Sequence, residues 1–231
     1  MTPRFLSQAR LDRTAPVAAL TGVLDPFDEE RAIDVHHRLV WTLFADREDR
    51  ERDFLWRVDD GQFLILSERQ PEDRHGLFEL RTKLFEPVLS TGDTLTFRLR
   101  VNAVVTRTSV EKGRRQQRRH DIVMDRLLRE LGPNPTEDGR AKSRDVVAAK
   151  AAEDWLRTQG QRSGFELLRL DGSDYRTVRL PRRGKADASF GLLDLDGRLR
   201  VTEPSTLLKA IGRGFGKGKA FGCGLMLVRR A

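Results

Sequence analysis

G-R-G-F-G-K-G-K-A-F-G-C-G-L, residues 212–225, holds six glycines, at 212, 214, 216, 218, 222 and 224, interleaved with Arg213, Lys217 and Lys219. Glycine lets the backbone enter positive φ and lets another chain approach it closely. Successive N–H groups in such a loop can form an anion-binding nest, and three cations beside it suit a polyanion. The flanking segments read as a short helix over Pro204–Ile211 and a strand over Leu225–Val228. The loop therefore runs from helix to strand. A Walker A loop or a dinucleotide fingerprint runs from strand to helix, and Lys219 is followed by Ala220 rather than Ser or Thr, so a nucleoside-triphosphate pocket is not expected. The alternative is a flexible glycine-rich connector.

Outward from this stretch, other elements follow the same pairing of helix and strand. Arg4–Leu11 reads as a first strand, and Asp25-Pro26 as the start of a helix over Arg31–Phe44, with Ile33, Val40 and Phe44 on one face. His37 lies on or beside that face and His36 on its other shoulder. Phe54–Val58 and Gln62–Ser67 flank Asp59-Asp60-Gly61 as a hairpin, and Leu77–Leu84 alternates. Thr94–Asn102 is the cleanest strand: Leu95, Phe97, Leu99 and Val101 take one face, Thr96, Arg98 and Arg100 the other. Arg107–Arg119 contains one acid in a run of arginines and reads as an exposed basic arm. Helical patterns cover Asp121–Leu131 and Arg144–Gln159, with Gly132–Gly139 a loop between them. Phe165–Leu170 and Tyr175–Leu180 predict a second hairpin around Asp171-Gly172-Ser173, and Ser189–Leu195 and Arg198–Val201 a third around Asp196-Gly197. Pro181–Lys185 reads as a further basic loop.

The whole predicts an α+β chain of two tandem ferredoxin-like (RRM-like) domains. The expected divisions are 1–105, a basic segment and linker over 106–142, and 143–231. Glu68–Gly76 lacks the helical period that the first domain's second helix needs.

The chain has 231 residues, 43 Lys and Arg against 35 Asp and Glu, and a net charge of +8. That balance favours an anionic partner. No apolar run reaches the roughly 20 residues a membrane span needs. The opening M-T-P-R-F lacks the pattern of a signal peptide, and the expected location is the cytoplasm. The single cysteine, Cys223, excludes an internal disulfide framework. The four histidines form no H-x-x-x-H pair, so neither a metal nor another cofactor is expected. A histidine on the first helix needs neither if the substrate is RNA, whose 2′-hydroxyl can attack the adjacent phosphate. Imidazole supplies a proton acceptor or donor near neutrality; the other reading of His37 is a packing residue.

The closing K-A-F-G-C-G-L-M-L-V-R-R after a G-x-G-x-G run resembles the C-terminus of the CasE family of CRISPR-associated endoribonucleases, relatives of the RAMP proteins. Phe97–Asn102 (F-R-L-R-V-N) is similar to that family's F-R-L-R-A-N strand. His37–Phe44 (H-R-L-V-W-T-L-F) resembles its H-x-x-x-W-x-L-F helix, followed by D-F-L-W at Asp53–Trp56. The resemblance implies metal-independent cleavage of CRISPR repeat RNA and retention of the product with other Cascade subunits. It gives His37 the catalytic position, with His36 as the fallback. It assigns the RNA backbone to the glycine loop (Arg213, Gly214, Gly216, Lys217, Gly218, Lys219). The residues themselves add the expectation that Arg98 and Arg100 on the polar face of their strand, with Arg114, Arg115, Arg118 and Arg119 of the basic arm, engage the repeat hairpin. Some members carry a tyrosine where this chain has Asp34. Either a different group orients the scissile phosphate, or Asp34 tunes His37, a nearby carboxylate favouring the protonated imidazole and so a general acid over a base. The competing readings are a repeat-RNA subunit that binds without cutting and a basic protein at an acidic membrane surface.

Overall fold

The computed structural model describes residues 3–47, 51–111, 114–132, 137–180 and 188–231. Strand β1 (Phe5–Leu11) is followed by two single-turn helices, α1 (Ala15–Ala18) and α2 (Thr21–Leu24), and by helix α3 (Glu29–Thr42). The N-cap of α3 is Asp28, whose carboxylate accepts the Arg31 N–H at 2.8 Å. It is not Asp25, which closes α2 and turns its side chain to His36. Strands β2 (Phe54–Asp59) and β3 (Gln62–Ser67) form the expected hairpin, and β4 (Phe78–Leu84) completes an antiparallel sheet of order β2-β3-β1-β4. No helix lies between β3 and β4.

The second sheet has the order β10-β5-β9-β8, built from β5 (Thr94–Val101), β8 (Phe165–Leu180), β9 (Ala188–Val201) and β10 (Met226–Arg230). Numbered within its own half, each sheet has the strand order 4-1-3-2. Both are ferredoxin-like, the first without its second helix. The hydrogen bonding of β5 to β9 and β10 puts that strand in the second sheet, whereas a division near residue 105 counts it with the first.

Three sequence expectations change. The basic stretch is no loose arm: β6 (Val104–Glu111) and β7 (Arg114–Asp121) pair antiparallel as a separate two-stranded ribbon, with Arg107 opposite Arg118. Helices α4 (Ile122–Leu131) and α5 (Glu137–Ser163) follow, so residues 137–139 are helical rather than loop. The two hairpins expected around Asp171-Gly172 and Asp196-Gly197 are instead two long strands paired with each other, β8 carrying bulges near Leu168 and Asp171. Their glycines serve close approach rather than turns: a Cβ on Gly197 would meet the Arg169 carbonyl at 2.3 Å. Pro181–Lys185 lies outside the described residues. Helix α6 (Pro204–Arg213) starts on Glu203, whose carboxylate accepts the Ser205 and Thr206 N–H groups.

The pleat of the first sheet divides its side chains between two cores. Phe54, Trp56, Phe63 and Ile65 pack under Val40 of α3 and under Leu43 and Phe44 just past its C-terminal end. Leu55 and Leu66, on the opposite face, belong to the larger core with Leu207 and Ile211 of α6 and with β5. Charged pairs lock this second contact. Asp59, at the end of β2, takes Arg57 and Arg98, each at 2.9 Å. Among the described residues no helix is long and apolar enough to cross a membrane.

Candidate active site

The two adjacent histidines of α3 part company at a 100° helical step. His36 is buried, edge-on to Phe63, and its Nε2 lies 2.9 Å from Asp25 Oδ1. It is the packing histidine. His37 is half-buried and points away from that core. Its ring stands 6.3 Å, centre to centre, from Phe221 of the glycine-rich segment. The imidazole of the opening helix and the loop near the tail thus meet.

The loop is built, not slack. Gly214, Gly216, Gly218, Gly222 and Gly224 all have positive φ. At Gly216 (φ +65°) a Cβ would sit 2.3 Å from Val101 Cγ2 and 2.6 Å from the Asn102 carbonyl oxygen. The backbone is tied across this contact: Lys217 N–H donates to Asn102 O at 2.9 Å and Gly224 N–H to Arg100 O at 2.7 Å. Residues Lys219–Phe221 make a short 3-10 turn beside α3 and β2. The flexible-connector reading is excluded. The N–H groups of Phe215, Lys217, Phe221 and Gly224 are bonded within the protein, so the loop presents its cations more than an open amide nest.

Those cations converge. Burial depresses the Lys219 ammonium, and the positive charges of Arg52, Arg213 and Lys217 lower it further. Arg52 also acts on His37. None of these four cations makes an ion pair among the described residues. Arg52 therefore joins the loop's cations to the imidazole, and that surplus of positive charge suits a phosphodiester.

His37 is held below its ordinary value, first by burial and next by the Arg52 charge; Asp34 opposes and Arg38 adds to the depression. Asp34 acts in the direction expected of it. However, its carboxylate is paired with Arg38 at 2.5 Å, and burial with Arg52 outweighs it. The net direction favours the neutral imidazole, against the pull expected of Asp34. Trp41 Nε1–H donates to His37 Nε2 at 3.0 Å, which leaves the ring proton on Nδ1. Arg52→Ala should raise the His37 pKa, because it removes a like charge. An NMR titration of the His37 ring proton measures it, and an unmoved midpoint would take Arg52 out of the site.

Other expected binding residues are less free. Arg100 is bidentate to Asp194 at 2.8 and 3.0 Å, and Arg98 is held by Asp59; both link elements of the fold. Arg115, Arg118 and Arg119 are exposed on the β7 strand of the ribbon, while the side chain of Arg114 lies outside the described residues. The ribbon springs from the site's edge, since β6 begins two residues after Asn102. Tyr175 is no stand-in for the missing tyrosine: its hydroxyl donates to Asp121 Oδ1 at 3.1 Å, and burial beside that carboxylate pushes it up to about 12. The sequence reading quoted Trp41 and Phe221 inside its motifs without giving either a role, and it missed Arg52, which only its place just before the D-F-L-W segment could have marked. Among the described residues no three His, Cys, Asp or Glu side chains are grouped to hold a metal ion.

The family described as "CRISPR associated protein" matches residues 5–230. The chain belongs to this family. It is 27% identical over 201 residues to the CRISPR system Cascade subunit CasE of Escherichia coli (strain K12), covering 82% of this chain and 88% of that protein. The resemblance to CasE is thereby borne out. In fold it is similar to the CRISPR-associated protein Cas6e of Escherichia coli K-12, with a TM-score of 0.59 at 20% identity, spanning 98% of this chain and all of the other. It is likewise similar to Thermus thermophilus Cse3 bound to an RNA representing a pre-cleavage complex, with a TM-score of 0.58 at 21% identity, covering 98% and 99% of the two chains. These structures share the tandem ferredoxin-like fold.

Proposed function

We propose that this CRISPR-associated protein is an endoribonuclease that cuts CRISPR repeat RNA once per repeat and keeps the product as a subunit of a Cascade-type complex. The observation that carries the reading is the meeting of His37 with Phe221 of the glycine loop and with Arg52, whose charge also acts on Lys219 of that loop. The similarity to CasE, which is a Cascade subunit by name, supports the assembly. The likeness to an RNA-bound Cse3 supports the substrate.

In this mechanism the neutral imidazole takes the proton of the 2′-hydroxyl next to the scissile phosphate. The oxygen attacks phosphorus, the 5′-oxygen of the next nucleotide leaves and takes up a proton from water to become a free 5′-hydroxyl, and a 2′,3′-cyclic phosphate remains. Positive charge from Lys219, Lys217 and Arg52 stabilises the crowded, doubly charged phosphorane. The Nε2 lone pair that would accept the proton is the one Trp41 occupies at rest, so the substrate hydroxyl displaces the indole N–H on binding. Catalytic hydrogen bonds commonly tighten only with substrate present. The exposed arginines of the β6–β7 ribbon meet phosphates of the RNA stem.

Single-turnover cleavage of a repeat stem-loop in excess EDTA tests the chemistry. One cut with a cyclic-phosphate end is expected, at a rate EDTA does not change. A 2′-deoxy nucleotide before the scissile phosphate should stop the reaction and spare affinity. Cleavage that survives the deoxy substitution, or that requires added Mg²⁺, would overturn the mechanism. Tight binding with no cutting would leave the non-catalytic subunit.

A further inference from the structure

A cleft of about 460 Å³ opens between β6, α4 and α5, apart from the His37 site. Its α5 wall is one stripe of the helix, Trp155, Thr158, Gln159 and Arg162, at the i, i+3, i+4, i+7 spacing that puts side chains on a single face. Trp155 is half-buried, with its inner edge on the large core, and the rest of the indole borders the cleft. The floor is apolar, from Val104, Ile122 and Ala151.

The charge is lopsided. Four arginines line the cleft against two aspartates. Arg107 and Arg129 share Asp125 at 2.6 and 3.1 Å, and Arg126 holds Asp154 at 2.5 Å. Arg162 is exposed and has no ion pair among the described residues. An aromatic face, two hydrogen-bonding side chains and an uncommitted guanidinium on one stripe match the three parts of a nucleotide: base face, base edge and phosphate.

Position selects the occupant. Arg107 belongs both to the cleft and to β6, where it pairs across the ribbon with Arg118. At about 3.3 Å per residue, the cleft's β6 wall, Val104 to Arg107, begins about 7 Å from Asn102, the glycine loop's partner. We propose that this cleft binds an unpaired RNA nucleotide flanking the repeat stem, stacked on Trp155 with its phosphate at Arg162. The inference rests on the RNA reading above and adds a single-stranded subsite to it.

Binding measured by fluorescence anisotropy at fixed salt, in a His37→Ala background that prevents cutting, tests this with three RNAs. They are the bare stem-loop and the same stem-loop with a short unpaired extension at its 5′ or its 3′ end. One extension should tighten binding. Trp155→Ala should cancel that gain, a loss of about tenfold for one stacked base, and Trp155→Phe should keep most of it. Arg162→Ala should weaken the extended RNA severalfold without disturbing the helix. None of the three should change affinity for the bare stem-loop. The subsite is refuted if neither extension tightens binding, or if Arg162→Ala and Trp155→Ala weaken the bare stem-loop as much as the extended one. If the unaltered cleft's protein binds no stem-loop at all, the RNA reading itself falls and this inference with it.

Discussion

His37→Ala should slow single-turnover cleavage of the repeat stem-loop by about 10² to 10⁴-fold, the range a positioned general base contributes, and leave RNA affinity within about twofold. The separation is expected because binding rests on other groups. The cations Lys217, Lys219 and Arg213 and the exposed ribbon arginines stay in place when one neutral ring is removed. His36→Ala gives a different result. His36 is buried against Phe63 and Asp25, so its loss should show mainly as lower thermal stability. The pH–rate profile of the unaltered protein fixes the direction of proton transfer. With His37 held below 6.5 by burial and Arg52, the unprotonated base is the predominant form at pH 7. The rate should fall as pH drops through that depressed value, where the imidazole takes up its proton. A general acid would give the opposite limb, with the rate falling as pH rises through it. Asp34→Asn should move the base limb to still lower pH, since it removes the one charge that favours the imidazolium. A His37→Ala protein that cuts at the normal rate would take His37 out of the catalytic role.

Much of this site was legible because its signals are local. The alternation of Leu95, Phe97, Leu99 and Val101 produced β5, and the glycines at 214–224 marked a loop whose backbone visits positive φ. The histidine pair had to be on one helix, and helical spacing limited the choice to two rings; which ring faces the loop was decided by tertiary packing. What failed did so for identifiable reasons. Asp-Gly pairs at 171–172 and 196–197 carry ordinary turn chemistry, but here the glycines let neighbouring atoms approach within a long ribbon, and only the pairing partner reveals that. The Arg-rich β7 has no apolar face to alternate, so a strand held by ladder bonds to β6 reads as solvated chain. Arg52 looks like any surface cation ahead of a hydrophobic strand. Its importance comes from Lys219, 167 positions away in the chain, and no spacing encodes that meeting. Arg98 and Arg100 show the converse: they read as free cations, and the fold spends them on Asp59 and Asp194.

Gly216→Ala should be far more damaging than Gly61→Ala, although both glycines have nearly the same backbone, φ +65° and +69°. Left-handed geometry costs a residue with a Cβ about 1–2 kcal/mol at either place. At Gly61, in the β2–β3 turn, nothing lies within 4 Å of the added carbon, so that strain is the whole effect. At Gly216 the carbon would overlap Val101 Cγ2 at 2.3 Å and the Asn102 carbonyl at 2.6 Å. Neither neighbour can yield easily: Val101 is fully buried in β5, and the Asn102 carbonyl accepts the Lys217 N–H. Overpacking of this kind adds about 1–3 kcal/mol, giving about 2–5 kcal/mol in all. In a chain of this size each kcal/mol moves Tm by about 2–4 °C, so Gly216→Ala should melt about 4–20 °C lower and Gly61→Ala only about 2–8 °C lower. The functional consequence follows the same contact. Pushing Gly216 off Asn102 carries Lys217 with it and draws the Lys219–Phe221 turn from His37. Cleavage should therefore drop at temperatures where the variant is still folded, while Gly61→Ala cuts normally. Equal melting temperatures and equal rates for the two variants would mean that the loop is not seated on β5, and the cationic cradle would lose its physical basis.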